Sequence, residues 1–569
     1  MAKVYGIDLG TTYSVITTLD DNGMPEVIAN QDEGSDLLAS AVYFQDGSDP
    51  VVGEIAKNQK DFEGDRVVEF VKRYIGKSDA PTYEFDGVKY DPITISALFL
   101  KRMKAYADAQ GHDVKNVVIT CPAYFGNEER TATKQAGIIA GLNVLNIVNE
   151  PTAAALNYCV REFKENRKVM VYDLGGGTFD ITLFDFSVDD DGKALIDIIK
   201  SGGNDRLGGI DWDARMFDYM CKQYTRENGI EIADMDEELK ATIGAQVEQA
   251  KKDLSTLEKK SYTIKYDTDR TRIELNRQEF EELTRDLVEQ TMDFVHQLLS
   301  GVGLGADDVD VVLLVGGSTF MPMIRNAVEG LFPGKVRVEQ PNLAVAKGAA
   351  LSAAIEWNER IVDIKEKLQQ GKDISQEERE VIADIPDEVI SSGDASDLLI
   401  NVPQQVSTVS DKLTRSLGPA VFVSEDSYMI DNLLFVDDEI PAEAEAVYGT
   451  RVDNAPEIVV NVYENVATDR VNKHVLPCFD QKGNEQYPDP ELKVKRIGKV
   501  RLPLPPNTPK GSPIRVVFRS STVGLEVTAE NMETGEATTV EFNPDNGYTA
   551  EQVTEAKKRF EGINTSGQI

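Results

Sequence analysis

The chain has 569 residues, with 98 acidic and 60 basic side chains and a net charge of −38, so its average surface repels phosphate backbones and argues against a nucleic-acid partner. No apolar run reaches the ~18 residues that span a bilayer, and the N-terminus has no basic stretch followed by an apolar one, so neither a membrane span nor a secretory leader is expected. Four cysteines without a C-x-x-C pair fit a reduced, cytoplasmic compartment, and three histidines (His112, His296 and His474) exclude a His-rich metal centre.

From residue 1 to about 355, short β-branched runs alternate with helical stretches, the pattern of an α/β module. Residues 4–16 read as strand, tight turn, strand. Val117-Val118-Ile119-Thr120 reads as a buried strand, and residues 127–141 as a helix capped by Gly141. Glu150-Pro151 opens a helix with proline in its first turn. Residues 169–182 repeat the strand–turn–strand unit, and Val311–Val315 reads as another buried strand. Residues 356–390 are charged and helix-prone, with Ile361, Ile364 and Leu368 on one face, and read as a helical insertion closing a module that spans 1–390. Residues 391–402 read as a linker with an apolar Leu398-Leu399-Ile400 centre. Residues 403–545 alternate strands with turns, as a β-sandwich does, and residues 546–569 form a short helical segment.

The repeated unit carries the chemistry. The first copy contains Asp8-Leu9-Gly10-Thr11-Thr12-Tyr13. The second contains Asp173-Leu174-Gly175-Gly176-Gly177-Thr178-Phe179-Asp180. Glycines let a turn backbone approach a ligand closely, and turn N–H groups with threonine hydroxyls can donate to phosphate oxygens. An aspartate at a strand end suits a hydrated Mg²⁺. One copy alone reads as a plain hairpin; two copies in one chain read as two grips on one nucleotide. Neither is a P-loop. A third glycine element, Gly316-Gly317-Ser318, follows the strand Val311–Val315, and a strand-to-helix turn explains it equally well. Glu248, Lys251 and Ser255 share one helical face, which is also the pattern of a solvated surface.

These segments, with residues 118–125, Asn149-Glu150-Pro151-Thr152, Gly208-Gly209 and Leu314-Val315 before the third glycine element, resemble the seventy-kilodalton heat-shock chaperone family of the DnaK type, in family order over residues 6–319. The resemblance implies an actin-like α/β ATPase domain of two lobes around an ATP or ADP cleft, followed by an all-β sandwich that binds peptide. It implies that Asp8 and Asp173 hold Mg²⁺ through water. Thr11, Thr12, Tyr13, Gly175, Gly176, Gly177 and Thr178 would hold the phosphates. Lys72 would lie near the γ-phosphate, with Asp173, Glu150 and Asp180 shaping the metal and water site. Glu248, Lys251, Ser255, Gly316, Gly317 and Ser318 would bind the adenosine, and Phe320, where the family usually has an arginine, could stack on the base.

In the β module Ile458, Val460 and Val462 share one strand face, suited equally to core packing and to a peptide cleft. Asn342 stands where an aspartate is common. Asn146 stands where the family often has a basic residue linked to J-domain partners, which leaves that partnership in question. A nucleotide exchange factor is the other co-chaperone implied. No long helical lid follows the β module, so the chain reads as lidless or truncated. The expected function is an ATP-dependent chaperone acting on unfolded or extended polypeptide. The alternatives are an ATP-regulated adaptor that docks one folded partner and a small-molecule kinase of the same superfamily, against which the linker and β module argue.

Overall fold

A computed structural model of the chain describes residues 3–77, 79–162, 165–188, 193–266, 269–375, 378–379, 382, 385, 398–402, 406–409, 411–424, 427–467, 478–479, 485–486, 494–521, 524–542 and 548–565. Two sheets form the first module. One runs in the order Asn143–Asn149, Asn116–Cys121, Val4–Asp8, Tyr13–Leu19, Pro25–Val27. The other runs Val336–Val338, Val311–Val315, Arg167–Leu174, Phe179–Val188, Ala194–Asn204, Val406–Val409. In each, one arm of an antiparallel hairpin lies beside parallel strands. The repeat in the sequence is thus a repeat in space, one hairpin per lobe. The central strands are apolar on both faces, as parallel strands covered by helices must be.

A third core joins the lobes. The helix Ala344–Gln369 packs between Val4, Val118 and Leu145 of one lobe and Val169, Val171 and Phe184 of the other. Its alanines and Gly348 permit close approach: a Cβ on Gly348 would lie 1.7 Å from the Ala153 carbonyl oxygen, and one on Gly6 would lie 2.1 Å from Ala350 N. Charge pattern places a separate helix from Glu356; in the structure residues 356–369 are the second half of this one helix. Trp357, Ile361 and Ile364 are buried and Leu368 is exposed. The Ala-rich first half is buried nearly all round, so it shows no amphipathic period to mark where the helix begins.

The linker expectation also shifts. Residues 391–397 lie outside the described residues. Leu398, Ile400 and Val402 pack on the inter-lobe core, with Leu399 facing solvent. Trp357 Nε1 donates to the Leu398 carbonyl at 2.9 Å, and the Asn358 side chain donates to the Ile400 carbonyl and accepts from its N–H at 2.9 and 2.8 Å. Beyond them, Val406–Val409 pairs in parallel with Ala194–Asn204 at the edge of the second lobe's sheet. The first module therefore takes in residues past Val402.

Two four-stranded sheets follow. One is ordered Ser427–Ile430, Ser416–Ser424, Glu457–Asn465, Lys495–Pro503; the other Ala442–Gly449, Pro513–Ser521, Gly524–Asn531, Ala537–Phe542. They enclose one core containing Val462, Val500 and Leu502 from the first and Ile514, Phe518 and Val527 from the second. The chain then returns to the first module. The helix Ala550–Glu561, opened by a Thr549–Gln552 capping box, buries Val553, Ala556 and Phe560 in the first lobe's core.

Candidate nucleotide site

The two hairpin tips meet across the cleft between the lobes. A Cβ on Gly176 would lie 2.5 Å from Thr12 Oγ1, and one on Gly177 would lie 2.6 Å from Thr11 Cγ2. Only glycine admits this approach, which explains why the second tip is Gly-Gly-Gly and the first carries the threonines. Ser14 and Ser40 fasten the first tip: Gly10 N–H donates to Ser14 Oγ at 3.1 Å, and Ser40 Oγ donates to the Gly10 carbonyl at 2.9 Å. Gly316, at φ 83°, brings the third glycine element against Asp173, where a Cβ would lie 2.5 Å from Oδ1.

Between the tips lies a cavity of about 710 Å³. It is lined by Asp8, Thr11, Thr12, Tyr13, Lys72, Glu150, Asp173, Gly175, Gly176 and Thr178, and on its far side by Glu248, Lys251, Ser255, Gly316, Gly317, Ser318 and Phe320. Asn342 joins them. Asp180 and Gly177 stand just behind the wall. Asp180 is 1% exposed and accepts the Ala123 N–H at 3.1 Å; it faces Asp173 directly across the hairpin. Like charges so placed repel, and a proton or a cation offsets them. Lys72, itself 6% exposed, pairs with Glu150 at the centre of this acid group.

The electrostatics follow from burial. Burial and then Glu150 push the Asp8 carboxyl up to about 7, against the pull of Lys72 and a 3.0 Å hydrogen bond from Thr120. Burial and Glu150 also hold Asp173 and Asp180 well above the usual carboxylate range. Burial alone would lower Lys72, but Glu150 and Asp8 outweigh it and hold the ammonium above its ordinary value. Three buried acids, Glu150, Asp173 and Asp180, with the half-buried Asp8 around one lysine make a site short of positive charge.

On the far side, the helix Glu237–Thr256 brings Glu248, Lys251 and Ser255 to the cavity. Lys251 donates to Asp213 at 2.7 Å and to the Gly209 carbonyl at 2.9 Å, and Ser318 Oγ donates to the Gly175 carbonyl at 2.8 Å. Phe320 is 53% exposed. Three cations were not legible as site residues. Arg73 donates twice to the Gly177 carbonyl, at 3.0 and 2.7 Å, and to Asp211 at 3.1 Å. Lys57 and Lys252 both donate to the Tyr13 hydroxyl, at 3.0 and 3.3 Å, and both pair with Glu248. Lys252 and Glu248 are four apart on one helix, but the other partners lie far away in sequence, and no local spacing brings Arg73, Lys57 or Tyr13 to the site.

In the sandwich, Val460 and Val462 are buried in the core and Ile458 is partly buried against it. Asn146 Nδ2 donates to Glu356 at 3.1 Å.

The sequence matches the family model described as Hsp70 protein over residues 4–369. It is 41% identical to the chaperone protein DnaK of Thermosipho melanesiensis over 381 residues, which is 65% of this chain and 61% of that protein. It is 41% identical to the chaperone protein DnaK of Thermotoga neapolitana over 362 residues, 62% of this chain and 59% of that protein. The chain thus spans less than two thirds of the length of the curated relatives it matches.

Proposed function

The chain belongs to the Hsp70 family, and from that membership we propose that it binds Mg·ATP, hydrolyses it slowly to ADP and phosphate, and uses the cycle to control its hold on unfolded or extended polypeptide. Membership carries the actin-like two-lobed fold of the first module with it. The observation that supports the reading most is the meeting of the two hairpin tips over a cavity ringed by Asp8, Glu150, Asp173 and Lys72.

Phosphoryl transfer needs positioning and charge neutralisation more than a covalent nucleophile. The tips, with Thr11, Thr12, Tyr13, Gly175, Gly176, Gly177 and Thr178, would hold the phosphates through backbone N–H and hydroxyl donors. Lys72 would stabilise charge developing on the γ-phosphate. Glu150 and Asp180 would orient the attacking water, with Asp180 fixed by the Ala123 N–H. The surplus of buried acids fits a divalent cation. Among the described residues no three His, Cys, Asp or Glu side chains are placed to hold an ion directly, so Asp8 and Asp173 would hold Mg²⁺ through its waters, and the ion would neutralise phosphate charge. Glu248, Lys251, Ser255, Gly316, Gly317 and Ser318 would hold the adenosine, with Phe320 against the base.

For the β module we propose polypeptide binding with Ile458 at the cleft. The burial of Val460 favours a packing role for that residue. If the sandwich docks one folded partner instead, the protein is an adaptor, and a panel of extended apolar peptides separates the two: binding across the panel supports the chaperone, and no binding supports the adaptor. A J-domain partner would meet the neutral Asn146, already bonded to Glu356, rather than a basic side chain. A nucleotide exchange factor belongs to the same proposal. No helix among the described residues is long and apolar enough to cross a membrane, Cys121 is buried, and Cys159 and Cys221 are buried without a disulfide; a cytoplasmic site of action fits these observations. Calorimetry with ATP and Mg²⁺ tests the nucleotide reading, and absence of binding would sink it.

A further inference from the structure

Where the sandwich meets the first module, three carboxyl groups are pressed together. The helix Asn127–Ile139 carries Glu128 and Glu129 in its first turn, and the strand Glu457–Asn465 brings Glu464 against them. Glu129 Oε2 and Glu464 Oε2 lie 3.3 and 3.7 Å from the point a Cβ on Gly126 would take. Glu464 Oε2 is shut off from solvent and has no hydrogen-bond partner. The Gly126 N–H, which could serve it, donates to Glu129 at 3.1 Å.

The charges facing Glu464 come from every neighbouring element. Glu128, Glu129 and Arg130 stand on the helix, Lys412 and Arg415 on the segment entering the sandwich, and Lys495 on the paired strand. Lys495 lies opposite Glu464 in register yet bonds Glu128 across the seam. Arg130 is turned inward, onto the Phe125 and Ile147 carbonyls and Asn149. Thr414 Oγ1 donates to the Phe125 carbonyl at 3.3 Å, and Lys200 pairs with Asp437 at 2.5 Å, so the seam is a real contact between modules.

We propose that this seam is a proton-controlled latch, in which uptake of one proton at Glu464 tightens the docking of the sandwich on the helix Asn127–Ile139 and loss of that proton loosens it. An ionised carboxylate that is buried, unbonded and beside another carboxylate is costly, whereas a protonated one gains an O–H to donate toward Glu129. Burial and then Glu129 push the Glu464 carboxyl up to about 7 in the docked arrangement. Swung away into water, it returns to the ordinary glutamate range, roughly 4.3. Docking therefore takes up a proton. Its contribution is complete below the undocked value and is lost as pH rises through about 7.

Hydrogen exchange on the full chain tests this, corrected for the intrinsic effect of pH and read over residues 127–131 and 457–465. Protection of these amides should fall roughly tenfold between pH 6 and pH 8. Glu464→Gln, which carries the neutral form at every pH, should hold the acid level of protection at pH 8. Glu129→Gln, which keeps the cap on Gly126, should shrink the difference between the two pH values and decides the matter if Glu464→Gln does not fold. Seam amides equally protected at both pH values, or equally open at both, would overturn the proposal. So would a wild-type pH dependence in Glu464→Gln or Glu129→Gln.

Discussion

Lys72 carries its charge into a group of carboxylates that repel one another. It stands 6% exposed against Glu150, with Asp8, Asp173 and Asp180 around it. Two effects should therefore appear together in Lys72→Ala. Single-turnover hydrolysis should drop on the order of a hundredfold, the loss typical of one preorganised donor, while Mg·ATP affinity changes only a few-fold. Thermal stability of the nucleotide-free protein should fall as well, by about 3–5 kcal/mol, since Glu150 is left buried without its partner. An unchanged single-turnover rate would show that Lys72 is structural. Phe320 poses the opposite case, because it is 53% exposed at the cavity and packs on little. If it stacks on the base, Phe320→Ala should weaken ATP binding by about 1–3 kcal/mol without moving the melting temperature. Calorimetry that finds equal affinities would place the base elsewhere in the cavity.

The elements differ in how much of themselves the sequence discloses. The two hairpins were legible because their turn chemistry is local: Asp-Leu-Gly followed by small residues can hardly do anything else between two β-branched runs. The face shared by Glu248, Lys251 and Ser255 was legible as a face, but its meeting with the cavity depends on a fold that brings the helix Glu237–Thr256 opposite Tyr13. The helix Ala344–Gln369 was only half legible, since burial on all sides erases the period that normally marks a helix. The strap that follows shows the same limit. Its apolar Leu398 and Ile400 announce a docking segment, but not that Trp357 and Asn358 would bind its backbone. Asn358 makes two hydrogen bonds to one residue, Ile400, from both ends of its amide. Asn358→Ala should therefore loosen the strap by about 1–2 kcal/mol and speed exchange at the Ile400 amide roughly tenfold, with the hairpins unaffected. No change in exchange at residues 398–402 would mean that apolar contacts alone hold the strap.

At the scale of the whole molecule, the chain leaves the first module, builds the sandwich and then returns. The return is made by the helix Ala550–Glu561, whose Val553, Ala556 and Phe560 fall at i, i+3 and i+7 and enter the core that also holds Ile93 and Leu98. Gln135 brackets Tyr548 with two hydrogen bonds, accepting from its N–H at 2.9 Å and donating to its carbonyl at 2.7 Å. The Tyr548 hydroxyl donates to Asp91 at 2.8 Å, the same side chain that caps the helix Pro92–Ala109. Among the described residues, three of the ties between sandwich and first module are the strand Val406–Val409, the acid seam around Glu464, and this helix. The three ties differ in kind. The strand is held by backbone pairing, the seam by charge, and the helix by apolar burial, so salt or pH should act on the seam and leave the helix in place. Phe560 is fully buried, and Phe560→Ala removes most of the apolar anchor, a loss of about 3–5 kcal/mol for a large aromatic in a packed core. Because the helix contributes one face to a core otherwise built within the first lobe, the cost should fall on docking rather than on folding of the lobe. Exchange across residues 550–561 should become fast in the variant, while the strands Val4–Asp8 and Asn116–Cys121 keep their protection and ATP affinity is unchanged. If those strands lose protection in step with the helix, the helix is an integral part of the first lobe, and the second module has no freedom to move at that tie.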